Sequence, residues 1–133
     1  MEQKIKKGVA KTILLIEDEA ALQKILGEVL SAEGYKVLSA LDGKVGLRLA
    51  KEKTPDLILL DLVLPKMMGF EVLEQLHHNG ETKGIPVIVL TNLENLQDVQ
   101  RATDLGATTY LVKSNYELGE VVQKVKAVLE HEG

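Results

Sequence analysis

The chain has 133 residues, 45% of them hydrophobic and 27% charged, with 20 acidic against 16 basic side chains and a formal net charge of −4. That is one domain of ordinary size with enough apolar sequence for a continuous core, which excludes a disordered chain. The mild acidity gives no basic footprint for nucleic acid, and the absence of cysteine excludes disulfides, thiolate metal sites and cysteine nucleophiles.

The chain opens on a short leader, residues 1–11, whose lysines Lys4, Lys6, Lys7 and Lys11 read as a flexible, solvated basic tail. The leader lacks the apolar middle of a signal peptide, and no apolar stretch approaches about 18 residues, so no membrane span is expected. Together with the missing cysteines this fits a cytoplasmic protein. The first strand is Ile13 to Ile16. Leu22, Ile25, Leu26, Val29 and Leu30 then recur on one apolar stripe, a helix stopped by Gly34 in the C′ position. Lys36 to Ala40 reads as the second strand. Asp42 caps a shorter helix carrying Val45, Leu49 and Ala50, which ends at Thr54-Pro55.

The third strand is the unbroken run Leu57 to Leu60. The third helix is expected from about Gly69 to His78, with Phe70, Leu73 and Leu76 inward and the adjacent His77 and His78 a helix-end feature. A polar connection, Asn79 to Pro86, leads into the fourth strand, Val87 to Leu90. The fourth helix, about Asn95 to Leu105, has a weak stripe of Leu96, Val99 and Thr103, which marks it as a candidate for movement. Thr109 to Val112 is the fifth strand, and Leu118, Val121, Val122, Val125 and Leu129 line the last helix. Strict β-α alternation predicts a parallel sheet, doubly wound, with helices on both faces.

Chemistry collects at the strand ends. Glu17 and Asp18 follow the first strand, Asp61 the third, Thr91 the fourth and Lys113 the fifth, all at the carboxyl edge where open α/β sheets keep their ligand crevice. Two carboxylates about 4 Å apart repel by roughly 4 kcal/mol at an effective dielectric near 20, which calls for a compensating cation. Oxygen donors without His or Cys favour Mg²⁺ or Mn²⁺ over zinc. Such a site suits phosphoryl transfer, with Asp61 as in-line nucleophile and Thr91 and Lys113 on the phosphoryl oxygens. Taken singly, each residue has a plainer reading: Asp18 and Thr91 as helix caps, Lys113 as a surface lysine. Asp61, an acid beside Leu62-Val63-Leu64-Pro65, is harder to explain without a partner.

In this order the residues resemble the receiver domain of two-component response regulators, from about Thr12 to Leu129. Tyr110, three residues before Lys113, matches that family's switch aromatic, and Gly69 and Gly106-Ala107 fall at its small positions. The resemblance implies a flavodoxin-like fold of five strands in order 2-1-3-4-5 with five helices. It implies a single receiver domain over residues 1–133, with a core of about 12–129. The phosphoacceptor would be Asp61, its donor a sensor histidine kinase or a phosphotransfer protein. The metal would be held by Asp18, Asp61 and the backbone carbonyl of Val63, with Glu17 acting mainly through water. Thr91 and Tyr110 would form the switch, read by an unknown protein target on helix four, strand five and helix five. Homodimerisation on phosphorylation stays open, and the chain is expected to contact neither nucleic acid nor membrane. It would be no enzyme beyond its own phosphorylation and dephosphorylation.

Three positions depart from the pattern. Ser114 replaces the usual proline after the lysine, Asn92 replaces a smaller residue after the threonine, and Val63 replaces a residue that is often polar. A slowly decaying phosphoryl state is the expectation from the last two. Rival readings are a haloacid-dehalogenase-like phosphatase, a flavodoxin-like electron carrier and a receiver that docks without phosphorylation. The first would need Asp-x-Asp after the first strand. The second would need rings for the flavin, and a labelling experiment decides the third.

Overall fold

Apolar runs and amphipathic stripes resolve into five strands and five helices in the computed structural model, which describes residues 9–132. The order is β1 (Thr12–Ile16), α1 (Ala20–Ala32), β2 (Lys36–Ala40), α2 (Gly43–Lys53), β3 (Leu57–Leu60), α3 (Gly69–His77), β4 (Val87–Thr91), α4 (Leu96–Asp104), β5 (Thr109–Val112) and α5 (Leu118–Glu132). Every strand pair is parallel, and the sheet runs β2-β1-β3-β4-β5. This is the flavodoxin-like order. Lys4, Lys6 and Lys7 of the expected leader lie outside the described residues. Lys11 lies inside them, and its carbonyl accepts the Lys36 N–H at 2.9 Å, so the chain is tied to β2 just before β1 begins.

The central strands are apolar on both sides because both sides are covered. Leu14, Ile16, Ile58, Leu60 and Val89 face Leu47, Ala50, Phe70, Val72, Leu73, Leu76 and Ala102 from α2, α3 and α4. Ile13, Leu15, Leu57, Leu59, Ile88, Leu90 and Leu111 face Leu26, Leu30, Val121, Val122, Val125 and Leu129 from α1 and α5.

Local signals act as their chemistry dictates. The Asp42 side chain accepts the Val45 N–H at 2.8 Å and caps α2. Gly34, one past the C-cap of α1, adopts φ +97, which a side chain would resist. His78 caps the end of α3, and its ring packs edge-to-face on His77.

Two expected stripes need correction. On α1, Leu26 and Leu30 are buried, but Ile25 is 46% exposed. On α4, Leu96 is 82% exposed and Thr103 is exposed too, while Ala102 is the buried residue and Val99 is half-buried. Short Ala102 lets the helix approach, and the Arg101 guanidinium lies over the Phe70 ring, 4.1 Å from its centroid. The contact face of α4 is therefore rotated from the Leu96-Val99-Thr103 line and centred on Ala102.

Beyond Leu60 the chain turns at Pro65–Met67, where the Met67 N–H closes on the Pro65 carbonyl (2.7 Å) around Lys66 at φ 68. A positive φ at lysine is strained. The turn is held because the same carbonyl accepts the Gly43 N–H (3.3 Å) and the Gly43 backbone packs where a Cβ would strike Met67. Gly69 then brings α3 against the backbone of Asp61 and Leu62, and its N–H donates to the Leu62 carbonyl at 2.9 Å. A Cβ there would collide with main chain that cannot swing aside. Gly69→Ala is therefore expected to destabilise the fold by about 1–3 kcal/mol, the range for overpacking. Gly80→Ala, which meets open space, should be close to neutral; urea denaturation of the two variants checks the contrast.

Candidate functional site

Register brings the acids together. Ile16 pairs with Leu60, so the next residues, Glu17 and Asp61, leave neighbouring strands side by side. The Asp61 N–H donates to the Ile16 carbonyl and the Glu17 N–H to the Ala40 carbonyl, both at 3.0 Å, which carries the ladder one step past the strands. Glu17 and Asp61 are 2% and 6% exposed, whereas Asp18 points to solvent. One carboxylate oxygen from each of the three lies within 4.8 Å of the others.

Lys113 reaches this cluster from β5. That strand stands two places from β3, about 10 Å away at the usual strand spacing, so a long side chain is required. Its Nζ lies 2.8 Å from Glu17 Oε1 and 3.0 Å from Asp61 Oδ2. Burial pulls the Lys113 ammonium toward deprotonation, but hydrogen bonds to Glu17 and Asp61 outweigh it and hold the pKa above the ordinary lysine value. For Glu17, burial dominates and raises the carboxyl. The Lys113 and Glu19 hydrogen bonds oppose that rise, and the Asp61 charge adds to it.

The remaining residues frame the cluster. Asp61 Oδ1 accepts the Val63 N–H at 3.2 Å. Thr91 ends β4 fully buried, its Oγ1 accepting the Leu93 N–H at 3.5 Å. Tyr110 is half-buried on β5, and its hydroxyl donates to the Leu93 carbonyl at 2.8 Å. Burial, then the charges of Asp98 and Asp61, push the Tyr110 phenol upward. The Lys113–Ser114 peptide is trans, and the chain continues in a single 3-10 turn, Lys113–Asn115. Ser114 is thus the middle residue of that turn.

The plainer readings of these residues fail. Asp18 does not cap α1: the N-cap is Glu19, with no side-chain cap bond, and the Glu19 N–H instead donates to Glu17 Oε2 at 2.9 Å. Asn95, not Thr91, caps α4, by accepting the Asp98 N–H. Lys113 is 14% exposed and bridges two acids, so it is no ordinary surface lysine.

A cleft of about 290 Å³ opens over the cluster, lined by Glu17, Asp18, Glu19, Asp61, Val63, Asn92 and Lys113. Glu19 was not singled out by the sequence reading. It stands 3.9 Å from Lys113, and its only signal is its place directly after the acidic pair. Three carboxylates within coordinating distance, without nitrogen or sulfur donors, form a hard-oxygen set for a divalent cation. One of the three, buried Asp61, is able to act as nucleophile, and beside the set stands the Lys113 ammonium, able to neutralise an oxyanion.

The family model described as response regulator receiver domain matches residues 13–126. The chain belongs to the response regulator receiver family. A DNA-binding dual master transcriptional regulator, RpaA of Synechocystis, is 41% identical over 117 residues, which cover 88% of this chain and 48% of that protein. The chain thus spans about half the length of that relative. A CheY-like receiver domain protein from Methanospirillum hungatei superposes with a TM-score of 0.86 at 30% identity, covering 94% of this chain and all of the other. The Mn²⁺-bound form of response regulator Rcp1 superposes with a TM-score of 0.78 at 36% identity, covering 88% and 92% of the two chains. The receiver fold therefore carries the cleft described above, and no helix among the described residues is long and apolar enough to cross a membrane.

Glu17 yields a pH test. Its folded pKa lies above its unfolded value, so the folded receiver binds more protons than the unfolded chain in the window just above about 4.3, the ordinary glutamate value. Stability must fall as pH rises through that window. Urea denaturation between pH 4 and 7 is expected to show wild type losing stability relative to Glu17→Gln as pH rises. A constant difference between the two would contradict the raised pKa.

Proposed function

We propose that this chain is a phosphoacceptor switch in which Asp61 receives a phosphoryl group from the phosphohistidine of a sensor histidine kinase or phosphotransfer protein. The observation that carries the reading is the Lys113 ammonium bridging two buried carboxylates, Glu17 and Asp61, beneath an open acidic cleft. A carboxylate oxygen of Asp61 attacks phosphorus, the phosphorus–nitrogen bond breaks, and the leaving imidazole takes a proton. An acyl phosphate remains on Asp61. Lys113 neutralises charge on the transferred group, and the Thr91 hydroxyl hydrogen-bonds one of its oxygens once the Leu93 N–H releases it.

The acids fit a divalent cation by chemistry and by charge. Glu17, Asp18 and Asp61 carry three negative charges against the single Lys113 ammonium, leaving two uncompensated. Asp18, Asp61 and the Val63 backbone carbonyl would hold Mg²⁺ or Mn²⁺, with Glu17 acting mainly through water. When bound, the cation supplies further neutralisation of the phosphoryl oxygens. The Mn²⁺-bound form of the related Rcp1 supports this assignment.

Output follows from packing. Thr91 moving toward the phosphoryl group would release the Leu93 N–H, loosening the residue whose carbonyl accepts the Tyr110 hydroxyl, and Tyr110 would turn into the vacated space. The surface read by a downstream protein is then α4, β5 and α5. We assign the whole activity to one receiver unit, with a core of about 12–129, that catalyses only its own phosphorylation and dephosphorylation.

Incubation with a small acyl phosphate and Mg²⁺, followed by intact mass, is expected to show one phosphoryl adduct that Asp61→Ala abolishes. An adduct that persists in that variant, or none in wild type, overturns the reading. Exposed Val63 and Asn92 line the cleft where hydrolytic water must enter. Replacing the apolar side chain in Val63→Asn, or the bulk in Asn92→Ala, is expected to shorten the phosphoryl lifetime. Decay at the wild-type rate in both variants would remove the slow-decay expectation.

A further inference from the structure

Gln23, on the second turn of α1, is bound to the backbone that carries the acids. Its Nε2 donates to the Glu17 carbonyl at 3.1 Å and to the Ala40 carbonyl at 2.9 Å, so both amide hydrogens are engaged. The β1–β2 ladder runs out at this point: β1 ends at Ile16, β2 ends at Ala40, and the Glu17 N–H to Ala40 carbonyl bond is its last rung. The side-chain amide of Gln23 stands in for the strand residue that would have come next. The Glu17 carbonyl belongs to the peptide joining Glu17 to Asp18. Holding that carbonyl fixes the plane of the peptide, and with it the directions in which the Glu17 and Asp18 side chains leave the main chain.

Glu17 and Asp18 need this help unequally. Glu17 is anchored by its own side chain, through Lys113 and the Glu19 N–H. Asp18 is exposed and takes its direction from the main chain. We propose that Gln23 is a positioning residue for the cation site, holding the Glu17–Asp18 peptide so that the Asp18 carboxylate stays within coordinating distance of Asp61. The inference rests on the functional reading above, because it concerns the cation that reading requires. Outer groups that orient metal ligands commonly change metal affinity when removed, without touching the metal.

Gln23→Met keeps the length of the side chain and removes both donors. Gln23 is half-buried, so water can replace the amide at the two carbonyls and the fold should tolerate the change. Isothermal titration of the full chain with MgCl₂ is expected to show affinity weakened about tenfold in Gln23→Met, the lower end of the range for orienting groups. The melting temperature in EDTA should stay near that of wild type. Gln23→Arg, which restores N–H donors at the site, should retain most of the affinity. Gln23→Met binding Mg²⁺ as tightly as wild type overturns the inference and leaves the functional reading intact, whereas a wild-type chain that binds no Mg²⁺ overturns both. A measurement on wild type keeps the test open should the variants fold poorly. The Gln23 side-chain amide protons are expected to resist solvent exchange and to shift on Mg²⁺ addition in NMR spectra. Fast-exchanging protons that ignore Mg²⁺ would contradict the role.

Discussion

Two carboxylates buried side by side, Glu17 and Asp61, are the constraint to which the rest of the molecule answers. With a carboxylate oxygen of each lying within 4.8 Å of the other, their mutual repulsion is on the order of 3 kcal/mol or more for an effective dielectric near 20. Stripping water from each ion adds to that cost. The Lys113 ammonium offsets it by bridging both acids, and the upward direction of its pKa records how strongly they hold its proton. One ammonium cannot compensate three acids. The arrangement is stable enough to fold yet still carries excess negative charge, and that is the electrostatic condition for capturing a divalent cation and, through it, a phosphoryl group.

Strand order makes the constraint possible. Only with β3 beside β1 do Glu17 and Asp61 emerge as neighbours, and only with β5 two places from β3 does a lysine have the right reach. Backbone detail then aims the groups. The strained Lys66 turn, pinned by the Gly43 N–H, and the close approach of Gly69 to Asp61 and Leu62 fix the loop that follows Asp61. Strain and steric crowding gather around the proposed reacting carboxylate, where a small displacement would matter most.

The strands and the acids at their ends were legible because their signals are local. Runs such as Leu57 to Leu60 have one plausible fate, and an acid immediately after such a run can only sit at the sheet edge. Helix orientation was less legible. Leu96 and Thr103 fit a helical stripe by spacing, but periodicity gives no weight to a small residue such as Ala102, and the close approach it permits decided which face of α4 packs. Ile25 fits the α1 stripe by the same rule and still stands 46% exposed, at the margin of the apolar arc. Glu17 meeting Lys113 directly, and Gln23 bonding two carbonyls, depend on three-dimensional contact between distant segments. Neither leaves a mark in residue spacing.

The same geometry accounts for how a small chemical event could have a distant effect. Among the described residues α4 buries one side chain, Ala102, and its other supports are modest: Arg101 over Phe70, and the loop before it held by the Tyr110 hydroxyl on the Leu93 carbonyl. A neutral hydrogen bond of this kind contributes about 0.5–1.5 kcal/mol net, and a partly exposed cation–π contact about as much. Two packings of α4 that differed by such contacts would lie within a few kcal/mol of each other, close enough for a local event to shift their balance. On the proposed function, a phosphoryl dianion beside Lys113 and Thr91 would add charge and strong hydrogen-bond acceptors at that point. On the proposed switch, the element to move would be the helix with the fewest buried side chains, and Leu93, whose N–H bonds Thr91 and whose carbonyl bonds Tyr110, is where the charge event would meet it.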